Sequence, residues 1–294
     1  MRIVIAMGGN ALLPKDSKGT SGEQMAAAGK ALHKLSSLFD SHQIALTHGN
    51  GPQVGSLLLQ QHASKKVPEM PLDVLDAMTQ GEIGYFIQSS LKRKSAVLLT
   101  RVVVDPLDPA FKNPSKPVGP FYKTKPQDGN RKQVTYIMDS GRGYRQVVPS
   151  PKAKGILEKD AILTLMKDGF VVVCGGGGGI PVTKSGKGVA AVIDKDDLSS
   201  LLASTVKADL LVFITSVDSV YTDFRKKSQK PLRKSSVSEL KRLTRAGHFA
   251  PGSMKPKVEA VMRFIENGGK KAMICSIDNL SLALRGKAGT TVTQ

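Results

Sequence analysis

Three lysines and three glycine-rich turns are the residues of this chain best suited to chemistry. Lys195 stands in the run Ala191-Val192-Ile193-Asp194-Lys195-Asp196, between two acids and after an apolar stretch, an arrangement that fixes an ammonium group. Lys257, in Gly252-Ser253-Met254-Lys255-Pro256-Lys257, opens an expected helix, where the helix dipole disfavours a cation unless an anion joins it. Lys116 is held by prolines within residues 113–120. Taken singly, Lys257 and Lys116 read equally well as solvated surface lysines. The glycine turns are Gly8-Gly9-Asn10, Gly49-Asn50-Gly51 and the five consecutive glycines 175–179, each after an apolar run with strand character. Glycine lets backbone N–H groups approach a phosphate, and a helix N-terminus behind the turn adds positive partial charge. One such turn is an ordinary tight turn. Three at strand ends suggest a sheet edge lined with anion-binding backbone. The matching chemistry is phosphoryl transfer, where the protein holds two anions in line and neutralises charge on the moving group.

The familiar phosphate motifs are missing. Gly186-Lys187 is followed by Gly188 and Gly286-Lys287 by Ala288, so neither is a GxxxxGK[ST] loop. The protein-kinase signatures HRD and DFG do not occur. Gly49, Gly51 and Gly55 give GxGxxxG, one residue longer than the dinucleotide fingerprint, and Asp73 and Asp76 fall inside an expected helix rather than at a strand end. Little is left for a nicotinamide-dependent oxidoreductase.

Lysine and arginine total 43 against 24 acids, a formal net charge of +19. Residues 225–234 hold six Lys or Arg and no acid, and Lys123, Lys125, Arg131 and Lys132 form a second cluster. Neither cluster has interleaved aromatics or a reading helix, so a solvated basic surface that attracts anionic substrates is preferred over nucleic-acid binding. Cys174 and Cys275 match no metal spacing and end apolar runs, which reads as buried free thiols in a reducing cytoplasm. No apolar run reaches the ~18 residues that cross a bilayer, and residues 1–7 are too short an apolar stretch for a signal peptide. No membrane association is expected.

The elements that must position these groups alternate strand and helix, which argues a mostly parallel sheet with helices on both faces. Strands are expected at 3–7, 44–47, 96–104, 170–174, 210–215 and 272–275, with an edge strand at 289–292. Helices are expected at 22–39, with a capping box from Ser21 and Gln24, after Pro52, and at 72–91, 156–166, 196–207 and 257–266. Residues 105–150 are rich in Pro, Gly and charge; so long a stretch reads as a protruding lid whose Phe111, Phe121, Tyr122, Tyr136 and Tyr144 form a mini-core. The expected division is one lobe over 1–155, carrying that lid, and a second over 156–294.

The run Met7-Gly8-Gly9-Asn10-Ala11-Leu12 resembles the opening motif of carbamate kinases, within the wider amino-acid kinase family. Residues 48–55 (HGNGPQVG) are similar to the family's second glycine turn. So are 113–122 (NPSKPVGPFY), 139–151 (DSGRGYRQVVPSP), 175–181 (GGGGGIP), 191–196 (AVIDKD) and 247–257 (GHFAPGSMKPK), in the family's order and across nearly the whole chain. The resemblance implies an α/β fold: three αβα layers, a mostly parallel central sheet and a small protruding subdomain. It implies the reaction ATP + carbamate ⇌ ADP + carbamoyl phosphate, with Mg²⁺ held largely by the nucleotide phosphates. By the same resemblance Gly8, Gly9 and Asn10 contact the transferring phosphoryl group, and Gly49, Asn50 and Gly51 hold carbamate or the carbamoyl end. Lys195 and Lys257 stabilise the moving charge, Asp194 orients them, and Lys116 closes over the acceptor with the lid. ATP or ADP is expected in the second half, near Thr215, Val217, Asp218, Tyr221 and Met254, with Gly175 and Gly176 among its contacts. A cytoplasmic homodimer is the implied assembly. Lys255 stands where family members often carry Gly, and residues 123–138 are short and basic beside many relatives. The nearest alternative is a phosphotransferase of the same fold with another small acid as acceptor.

Overall fold

A computed structural model of the chain describes residues 1–13, 17–63, 66–126, 134–139, 141–224, 226–250 and 252–294. Arg131, Lys132 and Arg225 of the basic clusters lie outside the described residues. The chain opens with β1 (Arg2–Met7), the short α1 (Gly9–Leu12) and the long α2 (Ser21–Phe39). Next come β2 (Gln43–His48), α3 (Gly51–Ala63), α4 (Leu72–Ser90), β3 (Ser95–Leu98) and β4 (Arg101–Val103). A 3-10 turn at Pro109–Phe111 precedes β5 (Lys116–Tyr122), β6 (Thr135–Met138) and β7 (Tyr144–Val148). β8 (Gly155–Ile156), α5 (Lys159–Lys167), β9 (Val171–Cys174), β10 (Ile180–Val182) and α6 (Lys195–Thr205) follow. The last third holds β11 (Leu210–Thr215), the hairpin β12 (Val220–Thr222) and β13 (Lys230–Leu232), β14 (Lys234–Ser236) and α7 (Val237–Arg245). It closes with α8 (Met254–Glu266), β15 (Lys271–Ser276), α9 (Leu280–Leu284) and β16 (Thr290–Thr293).

Eight strands form one sheet in the order β14-β16-β15-β11-β1-β2-β9-β3, and every neighbouring pair but β15 and β16 is parallel. Strand alternation divides the apolar side chains between two cores. Ile3, Ile5 and Met7 of β1 pack with α2, α4 and α9, whereas Val4 and Ala6 face α5, α6, α7 and α8. Phe213 and Phe264 are wholly buried in the second core; each such ring stabilises the fold by about 1.5–3 kcal/mol. These three layers are the αβα architecture expected. The sheet runs through the boundary at residue 155, since β9 lies between β2 and β3 and β11 pairs directly with β1.

Local chemistry shifts several expected boundaries. The capping box of α2 is Thr20 and Glu23, not Ser21 and Gln24: the Thr20 hydroxyl accepts from the Glu23 N–H at 3.3 Å, and the Glu23 carboxylate accepts the Thr20 N–H at 2.9 Å. A carboxylate makes the stronger reciprocal acceptor. The extended run at 96–104 breaks at Thr100, whose N–H donates to Gln80 and whose hydroxyl accepts from the Gly175 N–H, each at 2.8 Å. Beyond that clamp β4 leaves the main sheet and pairs with β10 and β8. Pairing of Ile156 with Val102 likewise delays α5 to Lys159. The strand near 289–292 is not an edge, because β16 lies between β14 and β15. Lys257 is the fourth residue of α8 rather than its first.

The expected lid is a separate antiparallel sheet in the order β5-β7-β6. Its base is a small satellite core in which Val118 and Val148 meet Val192, with Leu58 of α3 beside them. Gly119 takes φ +72°, and a Cβ on Gly55 of α3 would sit 3.1 Å from its Cα, so two glycines let α3 and β5 touch backbone to backbone. Tyr122 and Tyr136 meet edge to face, and Arg142 and Arg145 lie over the Phe121 ring. Phe111 does not join this mini-core; it packs against the main one.

Candidate active site

β1, β2, β9, β11 and β15 run parallel, so their carboxyl ends share one edge of the sheet. A cavity of about 930 Å³ opens there, the position at which open α/β sheets bind ligands. Its walls come from the segments leaving those strands: Gly8 and Gly9, Gly49 to Pro52, Gly177, Thr215 and Ser216, and Ser276 to Asp278. Gly8 donates its N–H to Ile214 at 3.1 Å and Gly49 donates to Met7 at 3.1 Å, which ties the turns to the sheet. Asn10 belongs to α1, and its side chain lies outside the described residues.

Within this cavity Lys116, Lys195, Lys257, Asp194 and Asp196 form one cluster of paired charges. Lys195 donates to Asp196 at 2.6 Å and Lys257 donates to the other oxygen of the same carboxylate at 3.0 Å. Lys116 reaches over from β5 to Asp194 at 2.5 Å. The hydrogen bonds to Lys195 and Lys257 thus come from Asp196, while Asp194, expected to orient them, acts on both lysines through its charge. Asp194 also caps α6, its Oδ1 accepting the N–H groups of Asp196 and Asp197 at 2.9 and 3.3 Å, which leaves Oδ2 for the lid lysine. Three ammonium groups against two carboxylates leave a positive surplus, and the N-terminus of α6 adds to it.

The titrations follow from that geometry. Burial works to raise the Asp194 carboxyl, but the charge and hydrogen bond of Lys116, then Lys195, outweigh it and hold the group at about 2. Burial also opposes ionisation of Asp196, and Lys195 and Lys257 overcome it, so this carboxyl stays below its usual range. Burial would lower the Lys195 ammonium, yet Asp196 and Asp194 raise it above its ordinary value. Lys257 goes the other way: burial and the neighbouring Lys195 charge lower it, against the pull of Asp196. The two lysines therefore differ in direction, although both donate to the one Asp196 carboxylate. His48 is fully buried and pushed down to about 4, a neutral ring packed on Gly176.

The turn at 175–179 is packed against side chains throughout and reaches the cavity at Gly177. A side chain on Gly175 would meet Leu198 and one on Gly176 would overlap the His48 ring; neither glycine lines the cavity. Gly177 does, with φ +69°, and its open space is filled by the Asn50 amide. Of the residues expected near the nucleotide, Thr215 lines the cavity, whereas Val217, Asp218, Tyr221 and Met254 stand outside it. Tyr221 donates to Asp218 at 2.5 Å instead. Sequence reasoning set Lys195 between two acids and did not separate them; its hydrogen bond goes to Asp196. It did not single out Arg145, which pairs with Asp139 at 3.1 Å on the lid wall, or Arg263, which pairs with the buried Asp197. Lys255 pairs weakly with Glu259, 4.0 Å away, and faces solvent.

Residues 1–276 match the model of the amino acid kinase family. The chain belongs to that family. Within it, the chain is 45% identical to the carbamate kinase of Thermococcus kodakarensis, over 100% of this chain and 99% of that one. Carbamate kinase 1 of Enterococcus faecium is likewise 45% identical, over 100% and 99% of the two chains. Among solved structures, carbamate kinase from Giardia lamblia bound to AMP-PNP superposes with a TM-score of 0.91 at 39% identity, covering 99% and 98%. A more distant likeness, of fold alone, is to an N-acetylglutamate synthase from Neisseria gonorrhoeae complexed with coenzyme A and L-arginine, at 16% identity and a TM-score of 0.58 over 99% of this chain and 61% of that one.

Proposed function

We propose that this amino acid kinase is a carbamate kinase, transferring a phosphoryl group reversibly between ATP and carbamate to give ADP and carbamoyl phosphate. The observation that carries the reading is the pair Lys195 and Lys257 on one buried carboxylate, in the cavity lined by the glycine turns, with the Lys195 stem against Gly49. In the direction of ATP synthesis, a terminal oxygen of ADP forms the new P–O bond while the bond from phosphorus to the carbamoyl oxygen breaks. Carbamate leaves with that electron pair. Charge balances without any proton moving, so the site needs no general base, and a neutral His48 turned towards Gly176 suits such a reaction. Catalysis then rests on positioning and charge: Lys195 and Lys257 face the three oxygens of the moving group, where charge spreads in a loose transition state.

Within this reading Gly8, Gly9 and Asn10 cradle the transferring group, and Gly49, Asn50 and Gly51 hold the carbamoyl end. Lys116 brings the lid onto the acceptor by trading Asp194 for substrate. The nucleotide lies towards Thr215 and the start of α8, the contribution of residues 156–294, while residues 1–155 supply the acceptor side. Mg²⁺ arrives on the nucleotide phosphates as part of the substrate; Asp194 and Asp196 are already neutralised by lysines and make poor resident ligands. Cys174 and Cys275 are buried thiols raised to about 12 by burial, which suits a reducing cytoplasm. A homodimer completes the proposal, and light scattering tests it. The deciding experiment follows ADP-dependent ATP formation from carbamoyl phosphate and from acetyl phosphate. Turnover of carbamoyl phosphate supports the reading, and turnover of acetyl phosphate alone sinks it.

A further inference from the structure

Asn50 is almost wholly buried at the cavity wall, and both hydrogens of its amide point away from the cavity's charged cluster into α4. Nδ2 donates to Thr79 Oγ1 at 2.9 Å and to Asp76 Oδ1 at 3.1 Å. An asparagine amide is nearly symmetric in shape, so something must decide which end is oxygen. Thr79 decides it. Its single hydroxyl hydrogen is already committed to the Asp76 carbonyl at 2.9 Å, so towards Asn50 the hydroxyl can only accept. Flipping the amide would set two acceptors against each other in a site from which water is excluded, and an unmet buried polar group is costly. Gly177 then closes the remaining side, because nothing larger than glycine leaves room for the amide there.

With Nδ2 occupied twice, Asn50 has only its carbonyl oxygen Oδ1 left to offer, and no described residue donates to it. An acceptor with no hydrogen of its own, fixed at the cavity wall, has no use for phosphate or carboxylate oxygens. It calls for an N–H donor. We propose that Thr79 and Asp76 are positioning residues which lock the polarity of Asn50, so that its oxygen selects the amino group of a carbamoyl substrate over the methyl group of an acyl phosphate of the same shape. The inference rests on the assignment of this cavity to carbamoyl phosphate and goes beyond it, because it names what tells that substrate from an isostere. Asp76 supports the arrangement from below: it is buried on α4, its Oδ1 accepts from Asn50 at 3.1 Å, and its Oδ2 has no hydrogen-bond partner among the described residues. Desolvation raises its carboxyl well above the ordinary range against the Asn50 hydrogen bond.

The test compares kcat/KM for carbamoyl phosphate and acetyl phosphate, with ADP, in the full-length protein and in Thr79→Val and Thr79→Ser. Valine keeps the volume and removes the acceptor; serine keeps the hydroxyl. The expected result is a carbamoyl-to-acetyl ratio that falls about 10- to 100-fold in Thr79→Val, through the carbamoyl substrate alone, and stays within about 3-fold in Thr79→Ser. Equal losses on both substrates in Thr79→Val, or an unchanged ratio, would overturn the inference while leaving the assigned reaction intact. Inability of the unmodified protein to use carbamoyl phosphate would instead defeat the functional assignment itself. If Thr79→Val does not fold, judged by circular dichroism, Asp76→Leu against Asp76→Asn decides on the same ratio, since only asparagine retains an acceptor oxygen.

Discussion

Replacing Asp196 with asparagine keeps the size of the side chain and removes the one negative charge shared by Lys195 and Lys257. In the folded protein both ammonium groups lie within 3.0 Å of that carboxylate, whose side chain is only 6% exposed. Breaking a buried pair from one side leaves an uncompensated charge and costs about 3–5 kcal/mol, and here two cations are left facing each other. The unliganded variant should therefore lose about 3–5 kcal/mol in urea unfolding, most of it recovered with saturating MgADP and carbamoyl phosphate, whose phosphates supply the missing charge. With the carboxylate gone the ammonium groups are easier to deprotonate, so the alkaline limb of the kcat profile should move to lower pH. Lys257, already lowered by burial and by Lys195, should lead that shift. Turnover at neutral pH should fall about 100- to 1000-fold, the scale of losing one preorganised charge contact in a transition state. Stability within 0.5 kcal/mol of the parent (roughly the scatter of a neutral surface change), together with near-normal kcat, would refute the assignment of Asp196 as the group that holds both lysines.

Lys195→Ala should lower kcat by about 100-fold or more with little change in the KM for ATP, because the lysine acts on charge that develops in transit; steady-state kinetics in both directions reads this, and a near-normal kcat removes Lys195 from the role. Lys116→Ala should chiefly raise the KM for carbamoyl phosphate, and unchanged kinetics would take the lid lysine out of the site. Asp194 ionises at about 2 in the folded chain against about 3.9 for a free aspartate, so the folded state binds fewer protons there. The stability it contributes is present above pH ~4 and is lost as pH falls through about 2, by roughly 2.5 kcal/mol. Urea midpoints measured from pH 5 to pH 2.5 should fall less steeply in Asp194→Asn than in the parent, and parallel profiles would contradict the pairing.

Much of the fold is legible in the chain because the strands of the sheet are short apolar runs ended by glycine or by polar residues. Leu210–Thr215 is read from its own residues to the correct bounds, and the turns after β1 and β2 announce themselves by Gly8-Gly9 and Gly49-Asn50-Gly51. What fails is anything set by partners distant in sequence. The break at Thr100 is made by Gln80 and Gly175, which no local pattern around residues 96–104 contains. The same holds in the site. Asp194 and Asp196 look alike in sequence, and only the start of α6 separates them: one oxygen of Asp194 is consumed by backbone N–H groups, which turns the other towards the lid. Gly175 and Gly176 resemble a phosphate cradle, but the bulk of Leu198 and His48 behind them is what demands their lack of a side chain. Thr79 carries no sequence signal at all, being a polar residue buried within α4.

The glycine contact between α3 and β5 bears on how this enzyme can change over time. Lys116 is the first residue of β5, held there by pairing with Val148 and by the Gly55–Gly119 contact three residues on. β7 runs back along β5, pairing Tyr144 with Tyr122 at one end and Val148 with Lys116 at the other. Changes of length confined to the connection between β5 and β6 therefore leave the Lys116 end of the ladder in register. The reach of Lys116 to Asp194 is insulated from them.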